Sequence, residues 1–461
     1  MKLKHFVFAA MLGAAVASAA AGSPRYIFYM IGDGMGPGQV MAAETYNRLT
    51  LRNDSSLTMM RMPVSALCTT WSASSPVTDS AAAGTALACG HKTRNNMLGQ
   101  DFDSVAVRSI ADDLKELGYG VALVTNVAPD DATPAAFYAH VPHRGMFHEI
   151  GLAAARSKVD FLAGSNLRGT RTDGRYNGLY EEFASNGIEV HRSMRQARES
   201  QSPRILLLDA DTLVGHTGHA IDCRGNENTL PEVTSLAIDH MLKNTPDRFF
   251  MMVEGGNIDW AGHANDGSTI VKEVLCFDEA IARVYQFYLA HPDETLIVVT
   301  ADHETGGMSV GQASTGYNCY TDYVDCQKVS KDAFSNMCHN MIRNNTPCSW
   351  EEMKQYLAEK FGFWGKIPVS AHREEVLKEK FNKTFVTREG TVEHSLYNDF
   401  PEFSQEVFDI VNRRAGFGFT TGNHSGNPVP VFAVGAGSEL FGSMNDNTDL
   451  PKLIMKAVRG Y

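Results

Sequence analysis

The chain has 461 residues, of which 43% are hydrophobic and 20% are charged, a composition typical of a globular protein that buries a sizeable core. Its formal net charge at pH 7 is −12, and no basic tract stands out. These values argue against nucleic acid as the main partner, although local cations, including metals, could still hold an anionic substrate.

The N-terminal segment has the three parts of a cleaved secretory signal. Lys2 and Lys4 precede an apolar run over residues 6 to about 16, and small residues follow up to Ala19. We therefore predict that residues 1–19 are a signal peptide and that the protein is exported, to the periplasm or outside the cell. The alternative is a buried first strand or helix. No later segment is apolar for long enough to span a membrane.

Short apolar runs with the composition of buried strands alternate with amphipathic stretches such as residues 109–117 and 271–289. Continuous apolar strands that alternate with helices predict an α/β fold, a three-layer sandwich in which helices flank a large, mostly parallel central sheet. The predicted strands are residues 26–31, 121–125, 205–208, 249–253, 296–300 and 429–434.

The region at about 304–419 interrupts this alternation, and we predict that it is an insertion packed on the main domain, as a lid or a subunit contact. Ser349 and Glu352 match a capping box that begins a helix.

In an exported chain, clustered cysteines also predict disulfides. The clustered cysteines are Cys319, Cys326, Cys338 and Cys348, and Cys68 could pair with Cys89.

Acidic and histidine side chains follow most of the predicted strands. Because sites in open α/β sheets form beyond the carboxyl ends of the strands, these side chains should meet at one edge. Each of them alone has an ordinary explanation, such as a turn at Asp33 or a helix cap at Thr133, so the argument depends on their conjunction. They are Asp33, Asp131, Glu254, Asp259, His263, Asp302 and His303, with Thr133 close to Asp131, and His424 precedes the last strand.

The side-chain types favour metal binding. Asp259 and His263 have the i, i+4 spacing that puts both on one face of a helix. With His424 they make a three-ligand set with an open position, as expected of catalytic zinc. The remaining residues divide into a second mixed set, Asp33, Asp302 and His303, and an oxygen-only set that suits magnesium, Asp33, Thr133 and Glu254.

Ser80 is a candidate nucleophile without an obvious base. It lies in VTDSAAAGTALACG, where a run of small residues predicts a tightly packed helix, yet no histidine is near and the flanks do not match G-x-S-x-G. A metal ion can lower the pKa of a bound hydroxyl, and a helix N-terminus favours an anion. A metal ion held by residues distant in sequence is therefore a candidate activator of Ser80.

Six motifs resemble those of the alkaline phosphatase family, in that family's order and over most of the chain after residue 19. They are MIGDGMG with Asp33, VTDSAAAGTA with Ser80, DATPAAFYAHVPHR with Asp131, Thr133 and Arg144, VEGGNIDWAGH with Glu254, Asp259 and His263, TADHE with Asp302 and His303, and GNHSG with His424.

The resemblance implies a bacterial-type, metal-dependent phosphomonoesterase that forms a phosphoserine, with a catalytic domain over 20–461 and often a homodimer. It implies two zinc ions and one magnesium ion per subunit and small phosphate monoesters as substrates. Ser80 would be the nucleophile, and Arg144 would clamp the phosphate. One zinc would bind Asp259, His263 and His424, the other Asp33, Asp302 and His303, and magnesium Asp33, Thr133 and Glu254, with Asp131 touching it directly or through water.

One position departs from the family patterns. Trp260 stands where the well-known enterobacterial form has lysine and animal forms have histidine, which removes a cation near the phosphate.

The nearest alternative function is a phosphodiesterase of the same superfamily. Those enzymes often use threonine and lack the clamping arginine, so Ser80 and Arg144 favour a monoesterase. A non-catalytic metal- or phosphate-binding protein of the envelope is the other alternative, and the complete set of nucleophile, arginine and ligands argues against it.

Overall fold

A computed structural model describes residues 23–209, 216–223 and 228–460, so the predicted signal segment, 1–19, lies outside the described residues. Within this part of the chain, ten strands form one sheet. In chain order they are β1 (Tyr26–Ile31), β2 (Val64–Thr69), β3 (Gly120–Thr125), β4 (Phe161–Gly164), β5 (Glu189–His191), β6 (Ile205–Leu208), β7 (Phe249–Glu254), β8 (Thr295–Thr300), β9 (Val429–Gly435) and β10 (Asn445–Asp446).

The sheet order is β10-β2-β9-β8-β1-β7-β3-β4-β6-β5. All pairs from β8 to β5 are parallel, whereas β9 is antiparallel to both of its neighbours. The predicted large, mostly parallel sheet is therefore confirmed, with β9 making it mixed. In register, Ile31 of β1 lies between Thr300 of β8 and Glu254 of β7, which places three strand ends at one edge.

Sequence pattern explains which strands were predictable. Every residue of β1, β3, β7 and β8 is buried, and apart from polar residues at some ends each strand is an apolar run, as expected of a parallel strand covered on both faces. All six predicted strands are present, with ends that differ by one residue at most. The four that the pattern missed are short or partly exposed: β2, β4, β5 and β10.

The helices predicted at residues 109–117, at residues 271–289 and after Ser349 are all present. Ser109 caps the third helix through Asp112 N–H, and Ser349 with Glu352 forms the expected capping box. Among the described residues, no helix is both long and apolar enough to cross a membrane. The α-helices are α1 (Pro37–Leu49), α2 (Ser80–Cys89), α3 (Ile110–Glu116), α4 (Ala132–Ala135), α5 (Phe147–Arg156), α6 (Leu179–Ser185), α7 (Met194–Glu199), α8 (Leu230–Asn244), α9 (Asn257–His263), α10 (Gly267–Ala290), α11 (Lys331–Arg343), α12 (Trp350–Phe361), α13 (Ala371–Phe381), α14 (Glu402–Ala415) and α15 (Asp449–Arg459).

A second apolar core lies inside the region predicted as an insertion. Its buried side chains fall between Cys326 and Val411 and come mainly from α11 to α14. Within the described part of the chain, four short two-strand ladders lie outside the ten-stranded sheet. They are Glu304–Thr305 with His424–Ser425, Ser309–Val310 with Phe417–Gly418, and Val392–His394 with Asp399–Pro401, while Arg171–Thr172 pairs with Arg175–Tyr176 elsewhere.

The disulfide prediction for this region is wrong in the structure. Cys319, Cys326, Cys338 and Cys348 are free thiols, and so are Cys68 and Cys89. Cys326 and Cys338 are buried among the aromatic side chains of the second core, where a thiol behaves as a small apolar side chain. The spacing of cysteines in sequence did not distinguish this packing role from cross-linking.

Candidate active site

Ser80 is the first residue of α2, and its neighbour Asp79 caps that helix by accepting a 3.0 Å hydrogen bond from Ala82 N–H. The small residues that follow let α2 pack closely on α4. A Cβ built on Gly84 would lie 3.3 Å from the Cα of Thr133. Ser80 is buried, and its Oγ lies 3.1 Å from His303 Nε2. The hydroxyl is thus held at a helix N-terminus, where partial positive charge favours an anion.

The first cluster around Ser80 combines residues that follow β1 and β8. His303 Nε2 lies 3.2 Å from Asp302 Oδ2 and 3.4 Å from Asp33 Oδ1. Those two carboxylate oxygens are buried and accept no hydrogen bond from any described residue. Because buried polar atoms are normally paired, the geometry leaves room for an ion among one nitrogen and two oxygens.

The second cluster is built by α9 and the ladder strand His424–Ser425. As the spacing predicted, Asp259 and His263 share a helix face, with Oδ2 to Nε2 at 3.5 Å. His424 Nε2 lies 3.0 Å from His263 Nε2 and 3.6 Å from Asp259 Oδ1. The Nδ1 atoms of the two imidazoles are each 2.8 Å from a backbone carbonyl, of Gly422 and Thr78, so both Nε2 atoms face the cluster.

Thr305 links the two clusters. Its hydroxyl donates to Asp259 Oδ1 and lies 3.3 Å from His303 Nδ1. Asp259, His303 and His424 also bring ligand atoms within 4.8 Å of one another. The two clusters therefore form one continuous centre, and sequence reasoning did not include Thr305.

A third group offers only oxygen atoms. Glu254, the last residue of β7, accepts a 2.5 Å hydrogen bond from Thr125 Oγ1. Thr133 lies beside the same carboxylate. The N-cap of α4 is Asp131, which accepts from Ala132 N–H, so the helix-cap interpretation belongs to Asp131 and not to Thr133. This leaves the Thr133 hydroxyl available to the site.

The acidic side chains of the centre are buried so close together that ionising all of them at once is unfavourable. Burial, followed by the charges of Asp302, Asp259 and Glu254, raises the pKa of Asp33 well above its ordinary value. Burial raises the pKa of Glu254 to about 8, and burial with the Asp259 charge raises the pKa of Asp302 to about 7. Bound divalent cations would remove this penalty, so the donor set fits metal ions.

Arg144 lies beside this centre and is held by two acids. Its Nη2 donates to Asp131 Oδ1 at 3.0 Å, and its Nη1 lies 3.4 Å from Asp79 Oδ2. Arg168 Nη1 donates to the other Asp131 oxygen, Oδ2, at 3.1 Å. Burial tends to raise the pKa of Asp131, but the charges of Arg168 and Arg144 outweigh it and hold that pKa below its ordinary value. Asp79 and Arg168 were both missed, although Asp79 has a signal as the N-cap before Ser80.

Trp260, the residue that differs from the family patterns, lies in a group of aromatic side chains. Its ring stacks on Tyr397 with centroids 4.0 Å apart and contacts His216 at 4.6 Å. Tyr397 also meets His263 edge to face at 5.3 Å. Burial, and then the charge of Asp259, raises the pKa of Tyr397 well above its ordinary value, so its hydroxyl remains a donor. No local sequence signal identified Tyr397, which comes from the hairpin Val392–His394 with Asp399–Pro401.

The structure thus brings all the predicted site residues to the edge formed by the ends of β1, β3, β7 and β8. In comparisons with known proteins, the family model "Alkaline phosphatase" matches residues 25–160 and 155–459. Alkaline phosphatase 4 of Bacillus subtilis is 31% identical over 447 residues, which cover 94% of this chain and 89% of that protein.

Two solved structures show the same fold. The cold-active alkaline phosphatase of Shewanella sp. is similar with a TM-score of 0.79 and 28% identity, covering 94% of this chain and 99% of that chain. A variant alkaline phosphatase of the Antarctic bacterium TAB5, solved with magnesium bound, gives a TM-score of 0.66 at 24% identity, covering 95% of this chain and 99% of that chain.

Proposed function

The chain belongs to the alkaline phosphatase family, and from that premise we propose that it is an exported phosphomonoesterase that forms a phosphoserine at Ser80. The observation that carries the proposal is the position of Ser80 Oγ, at the N-terminus of α2 and 3.1 Å from His303 Nε2. There the hydroxyl lies beside a cluster rich in acids and imidazoles, with Arg144 held near it by Asp79. A non-catalytic binding protein would not need a nucleophile in this place.

The residues present fit three divalent ions, and we assign two zinc ions and one magnesium ion by donor type. The mixed nitrogen and oxygen sets suit zinc, and the oxygen set suits magnesium. Such ions, when bound, lower the pKa of a nearby hydroxyl and offset charge on the phosphoryl group. The three sets are Asp259, His263 and His424; Asp33, Asp302 and His303; and Asp33, Asp131, Thr133 and Glu254.

The chain's own residues would carry the reaction in two displacements. Ser80 Oγ loses its proton and forms a bond to phosphorus, while the bond from phosphorus to the ester oxygen breaks and the alcohol leaves with a proton. Water then attacks the phosphoserine, which releases inorganic phosphate and restores the Ser80 hydroxyl. The partial positive charge at the α2 N-terminus stabilises negative charge at Oγ throughout.

Arg144 would bind the phosphoryl group between these steps. A guanidinium presents two parallel N–H donors that match two oxygens of a phosphate. Asp79 and Asp131 hold Arg144 in place before substrate arrives, which reduces the entropy cost of binding. A monoester has one more anionic oxygen than a diester, so the clamp favours the monoesterase over the phosphodiesterase alternative. We also propose the homodimer that the family resemblance implies.

Phosphate labelling tests the nucleophile. The metal-loaded protein is incubated with a labelled phosphomonoester and quenched in acid, and peptides are searched for phosphoserine. We expect label on Ser80 in the wild type and none in Ser80→Ala, which should lose most turnover. The control, Ser74→Ala, alters a serine outside the site. Label on another residue, or undiminished labelling of Ser80→Ala, would contradict the assignment.

A further inference from the structure

Arg168 is held rigidly at the edge of the active site. Its backbone N–H and that of Gly169 donate to the two oxygens of Asp130, at 3.0 and 2.7 Å. Asp130 is fully buried, and a Cβ on Gly169 would lie 2.1 Å from the carbonyl oxygen of Phe147, so the loop is tightly packed. The Arg168 guanidinium lies 4.7 Å from the centre of the Phe147 ring. Packing of the loop thus fixes the backbone of Arg168, and the Phe147 ring contacts its guanidinium.

One carboxylate is shared by two arginines. Asp131 Oδ1 accepts from Arg144 Nη2 at 3.0 Å and from Ala132 N–H at 2.8 Å, whereas Oδ2 accepts from Arg168 Nη1 at 3.1 Å. The side chain of Asp131 is 6% exposed and that of Arg168 is 31% exposed. A carboxylate this buried depends on its cationic partners, because removing one leaves charge uncompensated.

Position 260 supplies no cation that could help to neutralise Asp131. Trp260 is buried, and its ring faces Tyr397 and His216. Without Arg168, Arg144 would be the one arginine left on the Asp131 carboxylate. The carboxylate would then hold Arg144 more tightly and would repel an incoming phosphate dianion across a partly desolvated site.

We propose that Arg168 is a positioning residue that neutralises and holds Asp131, so that Arg144 remains available to the substrate phosphate. This role rests on the proposed function, since it concerns the same phosphate site. Arg168 acts through Asp131 and does not itself touch the phosphate. The loop 168–170, and not the residue beside Asp259, supplies the second cation of the site in this chain.

Binding of inorganic phosphate to the metal-loaded protein, measured by calorimetry, tests the proposal without relying on turnover. We expect the dissociation constant to rise about tenfold in Arg168→Ala and to stay within about threefold of wild type in Arg168→Lys, which retains the charge. Arg171→Ala removes the same charge from an exposed position three residues away and should leave binding unchanged. Equal binding by Arg168→Ala and Arg171→Ala overturns the proposal.

The same substitution in an Asp131→Asn background distinguishes a positioning role of Arg168 from direct contact with phosphate. In Asp131→Asn, the added Arg168→Ala substitution should change phosphate binding by less than about twofold, because the partner charge is already gone. A loss as large as in the wild-type background would mean that Arg168 binds phosphate itself, and it would overturn the proposal. If Arg168→Ala does not fold, Arg168→Gln replaces it in both backgrounds.

The two proposals fail in different ways. Wild-type protein that binds phosphate but does not hydrolyse a chromogenic monoester contradicts the proposed function, while the calorimetric comparison still decides the role of Arg168. Wild-type protein that hydrolyses the monoester, with phosphate binding insensitive to Arg168→Ala, contradicts only the role of Arg168.

Discussion

The rings of Trp260 and Tyr397 stack face to face, with centroids 4.0 Å apart and an interplanar angle of 6°. Trp260 follows the candidate metal ligand Asp259 on α9, whereas Tyr397 comes from a hairpin beside the second core. The next residue of that hairpin, Asn398, donates to Asp332 Oδ1 at 2.8 Å. The second core therefore contacts the candidate active site through the stack of Tyr397 on Trp260, and the hydrogen bond from Asn398 to Asp332 holds the neighbouring residue.

We expect Tyr397→Ala to lower both stability and monoester turnover, since an aromatic pair contributes about 0.5–1.5 kcal/mol beyond its buried area. Tyr397→Phe retains the stack and should keep wild-type stability. The measurements are the urea midpoint and Trp fluorescence, whose emission should shift to longer wavelength in Tyr397→Ala as the indole of Trp260 meets water. Tyr317→Ala, at a fully exposed tyrosine, is the control. Unchanged emission and an unchanged midpoint in Tyr397→Ala would argue against the stack.

Arg144→Ala should reduce kcat/KM for a phosphomonoester about tenfold more than for a diester, because it removes donors to the additional anionic oxygen. Paired kinetics with a chromogenic monoester and the matching diester measure this ratio. Arg175→Ala, an exposed arginine of the small ladder Arg171–Thr172 with Arg175–Tyr176, controls for net charge. Equal losses for the two substrates would remove Arg144 from the proposed clamp.

Chelation should abolish turnover and lower the thermal midpoint, since it leaves the buried oxygens of Asp33, Asp259 and Asp302 without partners. Zinc together with magnesium should restore both. Metal analysis should show that Asp259→Asn loses zinc while it retains magnesium, because Asp259 is not in the oxygen-only group. Asp239→Asn, at an exposed acid on α8, should keep the wild-type content. Full activity of metal-stripped protein would contradict the metal assignment.

The parts of the fold and site that sequence could predict share one physical cause. Continuous apolar runs mark parallel strands buried on both faces, and in such sheets the strand ends meet at one edge. That rule located Asp33, Glu254 and Asp302 correctly, and the i, i+4 spacing located Asp259 with His263 on α9.

The parts that sequence could not predict depend on tertiary packing. Arg168 and Tyr397 reach the site from a loop and a hairpin whose positions no local period or cap specifies. The disulfide prediction was wrong for a related reason: Cys326 and Cys338 lie in the second core, and that burial is not visible in their spacing.

A buried histidine with two acidic partners joins α10 to α11, a helix of the second core, and should give stability a distinct pH dependence. His219 contacts Glu273 Oε1 of α10 at 3.1 Å through Nδ1 and Asp332 Oδ2 of α11 at 2.9 Å through Nε2. Burial tends to lower the pKa of His219, but the hydrogen bonds and charges of Asp332 and Glu273 raise it well above its ordinary value.

Because the folded-state pKa of His219 is raised, its contribution is full below the ordinary value of 6.5 and is lost as pH rises through the folded-state pKa. We expect His219→Gln to be less stable than wild type by about 3–5 kcal/mol near pH 6, and this difference to shrink as the pH rises above 6.5. Urea unfolding across this range, with metal content held constant, measures it. His372→Gln, at an exposed histidine of α13, should match wild type throughout. A difference between wild type and His219→Gln that stays constant with pH would mean that His219 stabilises the contact as a neutral side chain, contrary to the charge pairing with Asp332 and Glu273.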